Sequence, residues 1–284
     1  MNVFKIIEEI SKVDDAAFDR LGSRRSMLQM TGRFGSKVAL ASVPLAIGSM
    51  VNKAYAGTNK LNDVIDVLNF ALTLEHLEYE FYQQVANNMD LLPSSSDARP
   101  IIELIRDHEL AHVNFLQTAI SGAGGTPIEK PAFDFTAGGG SGEGPFPNPM
   151  TADNSALPTI LAVAQAFEDT GVRAYKGQAG NLISDGPTLQ AALQIHSVEA
   201  RHASEIRRYR GSKGWIVGEE NTTGAAAVDA VYEGEDNVTH TVSTGTYDLS
   251  TVSGLPGGMD ALTESFDEPL TDQEVLNIVT PFLA

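Results

Sequence analysis

Residues 191–206 have the sequence AALQIHSVEARHASEI. Along this stretch Ala192, Ile195, Glu199, His202 and Ile206 recur at spacings of three and four residues, which is the period of one face of an α-helix. That face is apolar except for Glu199 and His202 at its centre. The pattern therefore predicts a helix that turns one carboxylate and one imidazole toward the protein core.

Three further stretches have a glutamate in the middle of an apolar helical face. The first repeats the same spacings with the residues Ile102, Ile105, Glu109, His112 and Leu116. The second shares its face among Leu68, Ala71, Glu75, Tyr79 and Tyr82. The third does so among Leu161, Ala164, Glu168, Val172 and Tyr175. We therefore expect four helices that each direct one glutamate inward.

The lengths of the connections predict how these helices pack. The apolar period, together with proline near helix starts and glycine at helix ends, places the helices at residues 60–88, 97–122, 155–180 and 185–211. Short connections join the first two and the last two helices, so each pair should form an antiparallel hairpin. The connection over 122–157 is long and rich in glycine and proline. The sequence thus predicts an all-α fold, a four-helix bundle with one long crossover.

The chain divides into three predicted regions: a leader at 1–56, the bundle at 57–211 and a C-terminal extension at 212–284. The extension contains thirteen Asp and Glu residues and, from Gly214 onward, no Lys or Arg. Its residues 237–248 alternate like a strand or hairpin, and residues 272–282 predict a short closing helix. We expect this acidic extension to be irregular or partly β.

The negative charge of four carboxylates that face one another inside the bundle must be neutralised. An isolated buried carboxylate costs several kcal/mol, and a group of them repels unless a positive charge lies between its members. Glutamate and histidine three residues apart project from the same side of a helix, so one metal ion can bind both. The sequence predicts a pair of divalent cations, and the predicted ligands are Glu75, Glu109, His112, Glu168, Glu199 and His202. Mixed oxygen and nitrogen ligands favour iron or manganese.

Some assignments remain open at this stage. Glu78 lies three residues after Glu75 and is an alternative ligand from the first helix. Tyr82 and Tyr175 each follow an inward glutamate by seven residues and are the candidate catalytic residues, as radical or electron-relay groups; the alternative is packing with a hydrogen-bonded hydroxyl. His108 is predicted to lie beside the ligands or at the surface.

Composition excludes several classes of protein. The 284 residues contain 37 Asp and Glu against 19 Lys and Arg, a formal net charge of −18. Nucleic-acid binding requires a basic surface, so a nucleic-acid partner is not expected. The chain has no cysteine, which excludes disulfides, thiolate zinc sites and iron–sulfur clusters.

The N-terminal region resembles an export signal. Residues 23–29, SRRSMLQ, are similar to a twin-arginine motif, and the weakly apolar run 38–51 is followed by AYA at 54–56, typical of a cleavage site. The apolar run is too short to span a membrane. We expect a periplasmic or exported protein without a membrane span in the mature chain; the alternative is a cytoplasmic protein that retains an N-terminal helix.

Four motifs together resemble the ferritin-like superfamily: LEHLEYEFY at 74–82, ELAH at 109–112, FEDTGVRAY at 167–175 and EARH at 199–202. With ESFDEPL at 264–270 and the leader, they are most similar to exported ferritin-like domain proteins of the desiccation-related type. Two Glu-x-x-His helices also resemble the metal sites of rubrerythrin and manganese catalase.

The resemblance implies a ferritin-like four-helix bundle with a dinuclear carboxylate site that holds two Fe ions, or alternatively two Mn ions. The expected partners are these metal ions and O2 or H2O2, and a homo-oligomer is compatible with the family. The expected function is a ferroxidase-like or peroxide-scavenging oxidoreductase that protects the cell envelope from stress. The alternative is a metal-free structural or interaction protein built on the same bundle.

Overall fold

Four long helices form two antiparallel hairpins. A computed structural model describes residues 61–222, 224–252, 254 and 257–284, with side chains from residue 64 onward. The helices are α1 (Leu61–Asn87), α2 (Arg99–Gly122), α3 (Leu157–Ala179) and α4 (Gly186–Tyr209). Helix α1 packs mainly on α2 and α3 mainly on α4, while α1–α3 and α2–α4 contacts join the hairpins. The predicted four-helix bundle is confirmed, and the predicted helix ends agree to within two residues.

Local signals explain both ends of α4. The side chain of Asp185 accepts a hydrogen bond from the backbone N–H of Thr188 at 3.3 Å and caps α4. Gly211, with φ of +82°, follows the end of α4 in the left-handed conformation that glycine adopts most easily. Helix α2 begins without a side-chain cap. The residue before α2 is Ala98, because the chain first makes a tight turn in which the Arg99 N–H donates to the Ser96 carbonyl.

Helix α3 is buried on all sides over residues 160–175. Its inward face packs in the bundle, as expected from the sequence. Its outward face is covered by the C-terminal extension, which the apolar pattern does not reveal. The reason is that this outward face is polar: Gln165, Asp169 and Arg173 follow one another at intervals of four residues and are all buried.

Asp169 connects the bundle to the extension through a buried ion pair. The Arg207 Nε of α4 donates to Asp169 Oδ1 at 3.0 Å. The Tyr232 hydroxyl, from the extension, donates to Asp169 Oδ2 at 2.9 Å and accepts from Gln165 Nε2 at 3.0 Å. Burial raises the pKa of Asp169 despite the neighbouring Arg207 charge. These contacts replace the water that a polar helix face would otherwise bind.

Arg173 forms the second polar connection. Its Nε lies 2.7 Å from Glu235 Oε1, and its guanidinium donates to the backbone carbonyls of Val231, Glu233 and Glu268. Burial raises the pKa of Glu235 to about 7, although the Arg173 charge acts in the opposite direction. The extension is therefore held on α3 by groups that are themselves removed from solvent.

The segment 264–270 crosses α3 at very close range. The Leu270 N–H donates to the Arg173 carbonyl at 3.1 Å. A Cβ atom at Gly177 would lie only 1.9 Å from the Leu270 carbonyl oxygen. Glycine at 177 thus permits the segment 264–270 to lie directly against the helix.

The rest of the extension contains a small hairpin and two short helices. Strands β1 (Thr239–Val242) and β2 (Gly245–Asp248) pair antiparallel, followed by α5 (Gly258–Thr263) and α6 (Asp272–Val279). A capping box between Thr271 and Glu274 begins α6. The predicted partly β extension and closing helix are confirmed.

The end of the extension also fastens the crossover. Phe133 and Leu283 form an antiparallel bridge, and the Asp134 N–H donates to the Phe282 carbonyl at 2.7 Å.

Among the residues that the structure describes, no helix is both long and apolar enough to cross a membrane. The predicted leader, residues 1–56, lies outside the described residues, and its prediction stays as stated.

We expect Arg173→Met to lower the free energy of unfolding by about 3 kcal/mol, because Glu235 is left buried without its partner. The loss should be smaller at acidic pH, where Glu235 takes up a proton and no longer carries an uncompensated charge. Chemical denaturation at acidic and alkaline pH measures both effects. Glu235→Gln in the same chain should recover part of the loss. Lys213→Met, at the exposed pair with Glu264, is the control and should leave the midpoint unchanged.

Candidate metal centre

The structure brings all six predicted ligands together in the middle of the bundle. They form two overlapping groups, and within each group one ligand atom per residue lies within 4.8 Å of all the others. The first group is Glu75, Glu109, His112 and Glu199; the second is Glu109, Glu168, Glu199 and His202. Glu109 and Glu199 belong to both groups. A Glu-x-x-His pair and one further glutamate therefore contribute to each half, with two carboxylates between the halves.

Each histidine presents its Nδ1 atom to several carboxylates. His112 Nδ1 lies 2.8 Å from Glu109 Oε2, 3.1 Å from Glu75 Oε2 and 3.3 Å from Glu199 Oε1. His202 Nδ1 lies 2.7 Å from Glu109 Oε1 and 3.3 Å from Glu168 Oε2. One imidazole nitrogen cannot satisfy so many acceptors. The ligand atoms thus converge on common points and are not arranged as separate pairs.

Several of these atoms also lack hydrogen bonds. Within the described part of the chain, Glu109 Oε1, Glu168 Oε2, both oxygens of Glu199 and His202 Nδ1 are buried and form none. His202 Nδ1 and Glu109 Oε1 are close, but their orientation is not that of a hydrogen bond. Buried polar atoms without partners are rare in native proteins and indicate an unseen ion or water. The donor set, carboxylate oxygen and imidazole nitrogen without thiolate, fits metal ions, and this cluster could hold them.

Burial and mutual repulsion change the ionisation of the cluster. Burial, reinforced by the neighbouring carboxylates, raises the pKa of Glu199 well above its ordinary value. Burial also raises the pKa of Glu109 to about 7, although the nearby imidazoles of His112 and His202 oppose the shift. Burial opposes charge on the imidazoles, but the glutamates outweigh it and raise the pKa of His202 to about 11 and that of His112 further still. Without a cation, protons supply the positive charge that the carboxylates need.

The structure distinguishes between the two glutamates that the sequence leaves open. Glu75 belongs to the first ligand group, whereas Glu78 belongs to neither group. Glu78 is nevertheless buried, and desolvation together with the charges of Glu199 and Glu168 raises its pKa well above normal. A Cβ atom at Gly171 would lie 2.9 Å from Glu199 Oε2 and 3.1 Å from Glu78 Oε1. Glycine at 171 thus leaves room for the carboxylates.

Tyr82 and Tyr175, which each follow an inward glutamate by seven residues, form hydrogen bonds between α1 and α3. Tyr82 of α1 donates to Glu168 Oε1 of α3 at 2.6 Å, and Tyr175 of α3 donates to Glu75 Oε1 of α1. Burial raises the pKa of both hydroxyls well above normal, so each keeps its proton. Each tyrosine therefore holds a glutamate, Glu168 or Glu75, that belongs to only one of the two groups. Whether either acts in catalysis stays a prediction.

Two residues beside the motifs have different surroundings. Arg201 is exposed. His108 is half-buried on α2, and its Nδ1 lies 2.9 Å from Nε2 of His202. The contact could have been anticipated only from the register: His108 directly precedes Glu109, so its side chain points between the core face and the surface, toward α4.

The fold and the cluster define a class, a four-helix bundle with a buried carboxylate–histidine centre contributed by all four helices. The model of the ferritin-like domain family matches residues 63–212, and the chain belongs to this family. None of the curated proteins compared with the chain matches it.

We expect cation binding at this centre to release protons and to strengthen as pH rises. Both imidazoles are protonated at neutral pH in the metal-free chain, so binding through Nδ1 must displace at least two protons, one from each ring. Lowering the pH below about 7 also protonates Glu109 and weakens binding further. Titration calorimetry with Mn(II) in buffers of different ionisation enthalpy counts the protons. Affinity that does not change with pH would contradict this account.

Proposed function

We propose that the chain is a dinuclear metal protein that holds two iron ions, or alternatively two manganese ions, and reacts with O2 or H2O2. The observation that carries this proposal is the pair of overlapping residue groups in the bundle. Together they contain two histidines and four glutamates with 0% exposure, and two of the glutamates belong to both groups. Carboxylates between two cations are typical of sites whose ions lie about 3.5–4 Å apart. The ferritin-like family of the chain agrees with such a site.

A bound metal pair would supply the electrons that reduce O2 or H2O2 or, with manganese, would allow H2O2 to disproportionate to water and O2. The chain contributes geometry. Glu109 and Glu199 hold the two halves together, and Tyr82 and Tyr175 fix the terminal glutamates by hydrogen bonds. The four glutamates are fully buried, which limits the access of water to them.

We further propose that the protein acts in the cell envelope, in protection from metal and oxidative stress. The support is the twin-arginine-like sequence at 23–29, followed by a short apolar run and a small-residue cleavage site. The twin-arginine route exports folded proteins, so the metal could be bound before export. The cytoplasmic alternative predicts that the N-terminal residues remain on the mature chain.

Elemental analysis of protein isolated from its native compartment tests the proposal most directly. We expect close to two Fe or Mn per chain, and absorption bands of oxidised iron when Fe(II) and O2 are added to the metal-free protein. N-terminal sequencing of the same material shows whether residues 1–56 have been removed. A fully folded protein that contains no metal and takes up none would instead favour the structural alternative.

Variants of the shared and the terminal glutamates sharpen this test. We expect Glu109→Ala and Glu199→Ala to lose both ions, because each carboxylate serves both halves, whereas Glu75→Ala and Glu168→Ala should lose mainly one. The increase in melting temperature on metal addition should shrink accordingly. Glu205→Ala, an exposed position on α4, is the matched control and should bind two ions. Equal metal content in all five proteins would contradict the proposed ligand set.

A further inference from the structure

His108 contacts the centre through a ligand and not directly. Its Nδ1 lies 2.9 Å from Nε2 of His202, and the two ring planes are within 19° of parallel, with ring centroids 5.2 Å apart. His202 Nδ1, on the opposite side of the same ring, is the atom that faces Glu109 and Glu168. His108 is therefore placed to act on a predicted ligand from its outer side.

The hydrogen bond has a definite direction when His202 binds a cation. A neutral imidazole that binds metal through Nδ1 must carry its proton on Nε2. That N–H then donates to Nδ1 of His108, which accepts with its lone pair. A hydrogen bond of this kind fixes both the tautomer and the orientation of a ligating ring. Here the acceptor is a second histidine, in place of the carboxylate or backbone carbonyl that is common elsewhere.

The other half of the centre has no such contact. The two Glu-x-x-His motifs are HELAH at 108–112 and VEARH at 198–202, so Val198 occupies the position on α4 that His108 occupies on α2. A valine side chain cannot accept a hydrogen bond. Among the residues that the structure describes, no histidine pairs in this way with Nε2 of His112. The two Glu-x-x-His motifs thus supply the same predicted ligands, but only His202 has a histidine beside its Nε2 atom.

We propose that His108 is a positioning residue for His202 and that it makes the two metal sites unequal, with the Glu168–His202 half binding its cation more tightly than the Glu75–His112 half. This inference rests on the proposed function, since it presupposes cations at the cluster. It attributes the difference in cation affinity between the two halves to His108.

Equilibrium titration with Mn(II), in which electron paramagnetic resonance measures the free ion, tests the inference without any assay of activity. The wild-type protein should bind two Mn(II) per chain with unequal affinities. His108→Leu should weaken one of them by about 10- to 100-fold. His108→Asn places an amide oxygen near the position of Nδ1 and should recover most of the loss. Val198→Leu, the matched change on α4, should leave both affinities unchanged.

Removal of one terminal ligand shows which half is affected. In Glu75→Gln the remaining tight site is the His202 half, so addition of His108→Leu should weaken it by the same factor. In Glu168→Gln the remaining site is the His112 half, and His108→Leu should have no effect. Equal losses in both backgrounds, or failure of His108→Asn to recover affinity, would overturn the positioning role. Wild-type protein that binds two Mn(II) with no effect of His108→Leu overturns this inference alone, whereas wild-type protein that binds none overturns the proposed function as well.

Discussion

The structure depends on one electrostatic constraint: four carboxylates with no exposure to solvent must be neutralised where they meet. Without an ion, bound protons reduce the negative charge, because the surroundings raise the pKa of Glu109, of Glu199 and of both histidines in the cluster. This arrangement is costly, because desolvation opposes every charge in the cluster. All four helices of the bundle surround the cluster, and each contributes one glutamate at mid-length. The cluster thus lies on the face that each of the four helices turns inward.

Much of the fold and of the candidate site could be predicted from the sequence, because both follow the helical period. Glu109 and His112 share an apolar face with Ile105, and Glu199 and His202 share one with Ile195, so their inward direction needs no knowledge of tertiary contacts. The choice between Glu75 and Glu78 could not be made in this way. Both lie near the apolar face of α1, and only the positions of α2 and α4 place Glu75 within the ligand group.

The covering of α3 could not be predicted because its outer face resembles a solvated helix surface. Asp169 and Arg173 are charged, and charge at four-residue intervals normally indicates exposure. Their partners Tyr232 and Glu235 come from an acidic region that shows no regular apolar pattern. The sequence predicts His108 beside the ligands or at the surface, but it does not predict the contact with His202. That ring lies 94 residues further along the chain, which local periodicity cannot indicate.

The cover over α3 has a consequence for the order in which the molecule assembles. Arg173 is joined to carbonyl groups 58 to 95 residues further along the chain. During synthesis the bundle helices emerge before these segments, so the Arg173 guanidinium stays in water until the later residues arrive. Such distant pairings close slowly compared with helix hairpins. The bundle interior with its carboxylate–histidine cluster would therefore form early, and the extension would close over it last.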